Sequence, residues 1–319
     1  MGGKNIRAQQ LLIRFGTIFA LLLVTLLFSL FVPGFVNSRN LMNILRQVAL
    51  LTIIAEGFTM CLIVDELDLS FANVASLSSV IVGGLILGEM NPFLAILIVL
   101  LIGIGIGLLN GLLVTKIGIP SLITTLAMGI ICVGFIYMYT NGLSLYGDMP
   151  ESFLFLGRGN IAGIPFLVVI MLMIVLLAHF MINNFKVGKY MQATGANKRA
   201  ARIAGINTDF YKVLGLILSS FGAALTGILL TSKLGTANPE GATGFMTDSF
   251  AAALMGQTVL SIGRAKPFGT FIGVLMIGVI SNGMTLAGAP YYMQDITKGA
   301  IIILSVTITS LQNKRQMDV

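Results

Sequence analysis

Apolar residues fall in long unbroken runs along this chain, separated by short polar segments. About 20 consecutive apolar residues let a helix cross the hydrocarbon core of a bilayer. Ten runs fit, at about 15–32, 47–64, 69–88, 92–115, 120–140, 163–182, 210–231, 249–262, 267–289 and 292–311, the eighth being short. A membrane β-barrel needs alternation over segments of about ten residues, which these runs do not follow. The pattern predicts an all-α polytopic membrane protein of about ten transmembrane helices, forming one domain over 1–319.

Composition excludes the soluble alternative. Hydrophobic residues make up 56% of the 319 and charged residues 10%, against about 25% charged in a typical soluble domain. The charges that remain also orient the chain. Lys4, Arg7 and Arg14 flank the first run, which is too long for a cleaved signal peptide and lacks a small-residue cleavage site. A cytoplasmic N-terminus and alternating spans put 14 of the 19 basic residues inside and 4 outside (Arg39, Arg46, Arg158 and Lys233), with Lys298 inside the last span. That asymmetry predicts cytoplasmic N- and C-termini and accounts for the net charge of +7 without nucleic acid.

Candidate chemistry is sparse. No glycine-rich loop ends in Gly-Lys-Ser/Thr, and neither a Ser-His-Asp set nor metal-ligand spacing occurs. Cys61 and Cys132 both lie in apolar runs, and the single histidine, His179, reads as interfacial. The chain is expected not to be an enzyme, with no catalytic, cofactor or metal residues of its own. Gly103, Gly107 and Gly111 recur at four-residue spacing, as do the pairs Gly84/Gly88 and Gly269/Gly273, the spacing that lets membrane helices approach closely.

Ionisable residues within spans are functional candidates by default. Glu56 has no partner nearby in sequence and should face protein or a water-filled cavity. Asp295 and Lys298 are i, i+3 neighbours that can neutralise each other. Asp65, Glu66 and Asp68 form an acidic break between the second and third runs. Three carboxylates cannot sit in hydrocarbon, so the break lies at the surface or lines a polar cavity in a broken helix. Asp68 or Ser70 can also cap the third span. The fragments DLSFA at 68–72 and DSFAA at 248–252 hint at an inverted repeat.

The longest inside loop, about 183–209, is basic. Ala200, Ala201, Ile203, Ala204 and Ile206 against Lys198, Arg199 and Arg202 give a short amphipathic helix, capped by Asn197 and ended by Gly205. Such a helix is either held on anionic lipid head groups or docks a cytoplasmic protein.

Three stretches carry a resemblance. EGFTMCLIVDELDLS at 56–70 is similar to a "G…(I/L)DLS" segment. ATGANKRAARIAGI at 193–206 follows "A-x-G-x-N-x-x-A-A-x-x-x-G-I". The third runs from Asp248 through SIGRAKPFGTFIGVLMIGVISNGMTLAG to KGAIIILSV. In these the chain resembles the permease subunits of ATP-driven bacterial sugar importers of the ribose and xylose type, within the branched-chain amino acid and monosaccharide permease superfamily. It departs from the common pattern at Asp65 and Glu66 and at Phe71-Ala72-Asn73.

The resemblance implies a multi-pass subunit of the bacterial cytoplasmic membrane. It would pair with a second permease chain, identical or homologous, on two copies of a cytoplasmic ATP-binding subunit. ATP would be bound by those partners, and an extracytoplasmic binding protein would deliver the sugar. The inside loop becomes the coupling element. Gly195 is expected to permit the turn into its helix, Asn197 to cap it and Gly205 to end it. Ala200 and Ala201 are expected to allow close approach to the ATPase, and Arg199 and Arg202 to reach carboxylates or carbonyls on it. Asp68, Ser70 and Asn73 are expected to border the translocation path, with Gln257 and Asn282 as candidates from the second half. The alternatives are a related permease for nucleosides, branched-chain amino acids or a sugar-derived signal, an ion-coupled secondary transporter, and a channel or membrane-anchoring subunit.

Overall fold

The computed structural model describes residues 2–257 and 264–317. In chain order its elements are α1 (Gly2–Phe31), α2 (Ser38–Ile63), α3 (Phe71–Leu87), α4 (Pro92–Leu112, continued by a π-helical turn, Leu113–Ile117) and α5 (Ser121–Thr140). Then come β1 (Leu145–Tyr146), α6 (Glu151–Arg158), β2 (Asn160–Ile161), β3 (Ile164–Pro165), α7 (Phe166–Asn184), α8 (Lys186–Ala196) and α9 (Lys198–Ile203). Last are α10 (Thr208–Leu234), β4 (Thr236–Ala237), α11 (Phe245–Gly256), α12 (Pro267–Leu286) and α13 (Tyr291–Met317). Among the described residues, six helices are long and apolar enough to cross a membrane: α2, α4 with its π turn, α5, α7, α10 and α12. The chain is an all-α membrane protein. Helix is the expected solution, because a backbone in hydrocarbon must satisfy every N–H and C=O within its own segment.

Each predicted apolar run falls on a helix, with shifted ends. α2 begins at Ser38, before its apolar run at 47. α11 begins at Phe245, and residues 258–262 of the run predicted there lie outside the described residues. The acidic break is real: no helix covers 64–70.

The chain forms two compact units, Ala49–Met246 and a second made of Met1–Val48 with Thr247–Val319. In the 49–246 unit, α10 packs against α3, α4, α6 and α8, and α3 against α4 and α5. Glycine decides the α4–α10 seam. A Cβ on Gly107 would lie 2.7 Å from the Ile217 Cα and from the Leu216 carbonyl oxygen, and one on Gly111 would lie 2.8 Å from the Val213 Cα. Gly88 does not pack in this way, since a Cβ there would meet only carbonyls of its own helix. α6 is pinned to α10 through Ser232, whose Oγ donates to the Phe153 carbonyl at 2.6 Å and accepts from the Gly157 amide at 2.7 Å. β1 pairs antiparallel with β4, and β2 with β3.

In the other unit α1 packs on α12. Backbone contact between Gly269 and Gly256, and between Gly273 and Ala252, sets α12 on α11. Asn40 and Asn282 exchange amide hydrogen bonds of 2.9 and 3.0 Å. Lys298 pairs with Asp248 at 2.7 Å and not with Asp295, its neighbour on the same helix. Asp248 is the fourth residue of α11, whereas Asp68 precedes α3 by three, so the two repeat fragments occupy different local settings.

Candidate functional site

The 183–209 segment holds two helices, α8 and α9, meeting at Asn197. Asn197 is extended and its side chain accepts from the Ala200 amide at 3.0 Å, capping α9 as expected. Gly205 follows α9 with φ +80°, a left-handed conformation that glycine adopts without a Cβ penalty. Gly195 departs from expectation. It is helical, at the end of α8, and its missing side chain leaves room for the Ile63 carbonyl at the C-terminus of α2.

The face of α9 also differs from the amphipathic reading. Ala201 is 5% exposed, turned into the chain itself. Arg202, half exposed, is tied to α10: its Nε donates to Thr208 Oγ1 at 2.9 Å and its guanidinium pairs with Asp209 at 2.6 Å. Lys198 approaches the same carboxylate at 3.6 Å. Exposed on α9 are Lys198, Arg199, Ala200, Arg202 and Ile203, the last 89% exposed. Arg202 nonetheless ties α9 to the start of α10 through Thr208 and Asp209.

The 64–70 break is tightly tied. Leu67 N–H donates to Ser121 Oγ at 3.2 Å and Leu69 N–H to Thr125 Oγ1 at 2.9 Å, so the start of α5 satisfies amides that no helix takes up. Glu66, nearly buried, forms an ion pair with Lys212 of α10. Asp65 has φ +60°, and its amide lies beside Gly195. Asp68 is fully buried and accepts from both the Ser70 amide (2.8 Å) and the Ser70 hydroxyl (2.6 Å). Ser70 in turn accepts from the Asn110 amide of α4 at 3.2 Å. Ser70 thus stands at the N-cap of α3, but its hydroxyl turns to Asp68 and caps nothing. Ser219 of α10 and the Phe71 amide also hydrogen-bond to the Asp68 carboxylate, while Asn110 Oδ1 has no hydrogen-bond partner among the described residues, and such a buried group costs about 1–3 kcal/mol. Asn73 lies one turn on, half-buried against Gly129.

Residues 40–306 match the family described as "Branched-chain amino acid transport system / permease component". The ribose import permease protein RbsC of Escherichia coli K12 is 32% identical over 319 residues, covering 99% of this chain and 98% of that protein. RbsC of Bacillus subtilis is 34% identical over 306 residues, covering 96% of this chain and 95% of that protein. The D-allose transport system permease protein AlsC of Escherichia coli K12 is 31% identical over 303 residues, covering 94% and 93%. No solved structure matches. The chain belongs to this permease family.

Within the permease, the structure brings Asp68, Ser70 and Asn73 together in the 49–246 unit, while Gln257 and Asn282 belong to the other. Asn282 is committed to Asn40, and Gln257 ends α11, half-buried. Glu56 is buried in α2 and lines a cavity of about 220 Å³ whose other walls, from α2, α7 and α10, are apolar. Sequence reasoning missed Asn110 and the Glu66–Lys212 pair. Asn110 had a visible signal, as the one amide in the apolar run 92–115 beyond its start. Lys212 had none, because 146 residues separate it from Glu66.

Proposed function

We propose that this chain is the membrane-spanning permease subunit of an ATP-binding-cassette importer that moves a monosaccharide across the bacterial cytoplasmic membrane by alternating access. The observation that carries the reading is similarity to ribose and allose permeases over nearly the whole length of both chains. Ten helices cross the membrane, both termini are cytoplasmic, and α8 and α9 form the cytoplasmic coupling element. Two copies of an ATP-binding subunit bind the ATP and a second permease chain completes the path. An extracytoplasmic binding protein delivers the sugar.

The outward face of α9 supports a protein partner over a lipid one. Arg199 stands beside Ile203, an exposed apolar side chain, while Lys198 and Arg202, both about half exposed, share the Asp209 carboxylate; that mixture suits an apolar socket rimmed by carboxylates. Asp68 and Ser70 are closed from solvent in this arrangement, so in this reading they meet the path only when the break moves.

Single cysteines at Ala196 and Asn238, with Cys61 and Cys132 replaced, test the topology, since both positions are exposed. An impermeant thiol reagent on intact cells will label Asn238→Cys and spare Ala196→Cys. Equal labelling of the two would overturn the ten-span arrangement. Purification in mild detergent from the native host will bring down an ATP-binding subunit, and loss of that subunit from every preparation would remove the importer reading.

A further inference from the structure

We infer that the 64–70 break is the positioning element through which the coupling helices act on Asp68, with Gly195 and the Glu66–Lys212 ion pair as its two points of attachment. This rests on the importer reading above and says how movement reaches the polar core of the permease.

The connections are continuous. Ile203 and Arg199 stand on the outer face of α9, and the same helix is bound to the start of α10 through Arg202, Thr208 and Asp209. One turn further along α10, Lys212 holds Glu66 in the break. Gly215, almost one turn beyond, lies against the end of α2: a Cβ there would be 2.6 Å from a Val64 methyl and 3.1 Å from the Met60 carbonyl oxygen. From the other side, α8 presses Gly195 onto the Ile63 carbonyl and the Asp65 amide. The N-terminal end of the break is thus gripped from two sides, by α8 and by α10, and the break carries Asp68 two residues after Glu66.

A relay needs an element with two arrangements, and contact alone does not supply one. The Asp68 cluster supplies it. The Asp68 carboxylate is held by Ser70, by Ser219 of α10 and by the Phe71 amide, while Asn110 Oδ1, in the same cluster, is buried with no partner among the described residues. A shift of the break would exchange the Ser219 contact, and one that admits water or substrate hydroxyls to the cluster recovers the hydrogen bond that Asn110 lacks. The ion pair is nearly buried on both sides, which makes it a rigid attachment where a surface pair would be a loose one. A salt bridge that only stabilised the fold would not have to lie between the partner-facing helix and this cluster.

The test uses the whole importer in proteoliposomes and reads sugar transported per ATP hydrolysed, together with the amount of ATPase bound. Glu66→Gln and Gly195→Ala are expected to bind the ATPase as wild type does and still hydrolyse ATP, while transport per ATP falls at least about tenfold. The charge-reversed pair Glu66→Lys/Lys212→Glu is expected to recover at least about a third of wild-type transport per ATP. Lys212→Arg, which keeps the charge, is expected to stay within about twofold of wild type. Unchanged transport per ATP in both Glu66→Gln and Gly195→Ala would overturn the inference. So would a loss matched by an equal loss of bound ATPase with no recovery in the reversed pair, because that is the signature of packing alone. If wild type itself binds no ATPase, the importer reading fails and this inference with it; if wild type transports and only the variants disagree, the inference fails alone.

Discussion

Gly107→Leu is expected to prevent the permease from accumulating in a folded state, while Gly105→Leu, two residues along the same helix, leaves it intact. The two glycines are alike in sequence and opposite in setting. A Cβ at Gly107 would meet backbone atoms of α10, at Ile217 and Leu216. Backbone cannot rotate away, so α4 and α10 would have to separate. That separation would also open the close approaches at Gly103 and Gly111, and the cost is roughly 4 kcal/mol or more, in the exceptional range for a single substitution. A Cβ at Gly105 meets nothing within 4 Å, and the change should stay within about 0.5 kcal/mol, as for other surface positions. Thermal unfolding in detergent, read by the retained monodisperse fraction, separates the two. Equal stability of both variants would mean that the seam is not close-packed.

Ile203→Asp carries the second large effect. With 89% of its surface exposed, Ile203 contributes little to the fold of this chain, so the variant should insert and melt as wild type does. If the side chain fills an apolar socket on the ATPase, placing a carboxylate there costs at least about 2 kcal/mol of association, roughly 30-fold in affinity. Uptake should fall to background and ATPase binding should weaken with it. Ala201→Trp makes the opposite contrast. Ala201 is buried within the chain, so tryptophan there will lower thermal stability before it affects any partner. Normal uptake by Ile203→Asp would remove α9 from the docking surface.

The sequence showed the helices of this protein far better than it showed which faces meet. Runs such as 92–115 can only be helices once lipid is the solvent, and α4 and its π turn follow that run closely. The cap at Asn197 and the end at Gly205 were legible because local backbone chemistry sets them. α8 was not legible. KVGKYMQATGA combines two glycines with no clean apolar stripe, and what holds it is contact of Gly188 with Ile182 and of Gly195 with Ile63. Propensity carries no trace of that, since glycine in a helix interior is unfavourable on its own.

The candidate site divides the same way. DELDLS announced a polar break, but the separate settings of its carboxylates were hidden: Glu66 in an ion pair, Asp68 in a buried network, Asp65 in a left-handed turn. Which basic residues of α9 are paired depends on Asp209, which lies beyond the loop motif and holds Arg202 and Lys198. The pairing of Lys298 with Asp248 instead of Asp295 is another long-range choice. Asp295 is exposed, whereas the Lys298 and Asp248 side chains are both largely removed from water, where opposite charges attract more strongly.

In the proposed importer, sugar moves only when a partner hydrolyses ATP. The direct measurement is uptake of labelled ribose, allose and arabinose into proteoliposomes holding the permease, its ATP-binding subunit and the binding protein. At least one sugar will accumulate above its outside concentration when ATP is supplied to the ATPase side, and none will when ATP is replaced by a non-hydrolysable analogue. Accumulation driven by a sodium or proton gradient without ATP would make the chain a secondary transporter, and equilibration without any energy source would make it a channel; either result would contradict the account.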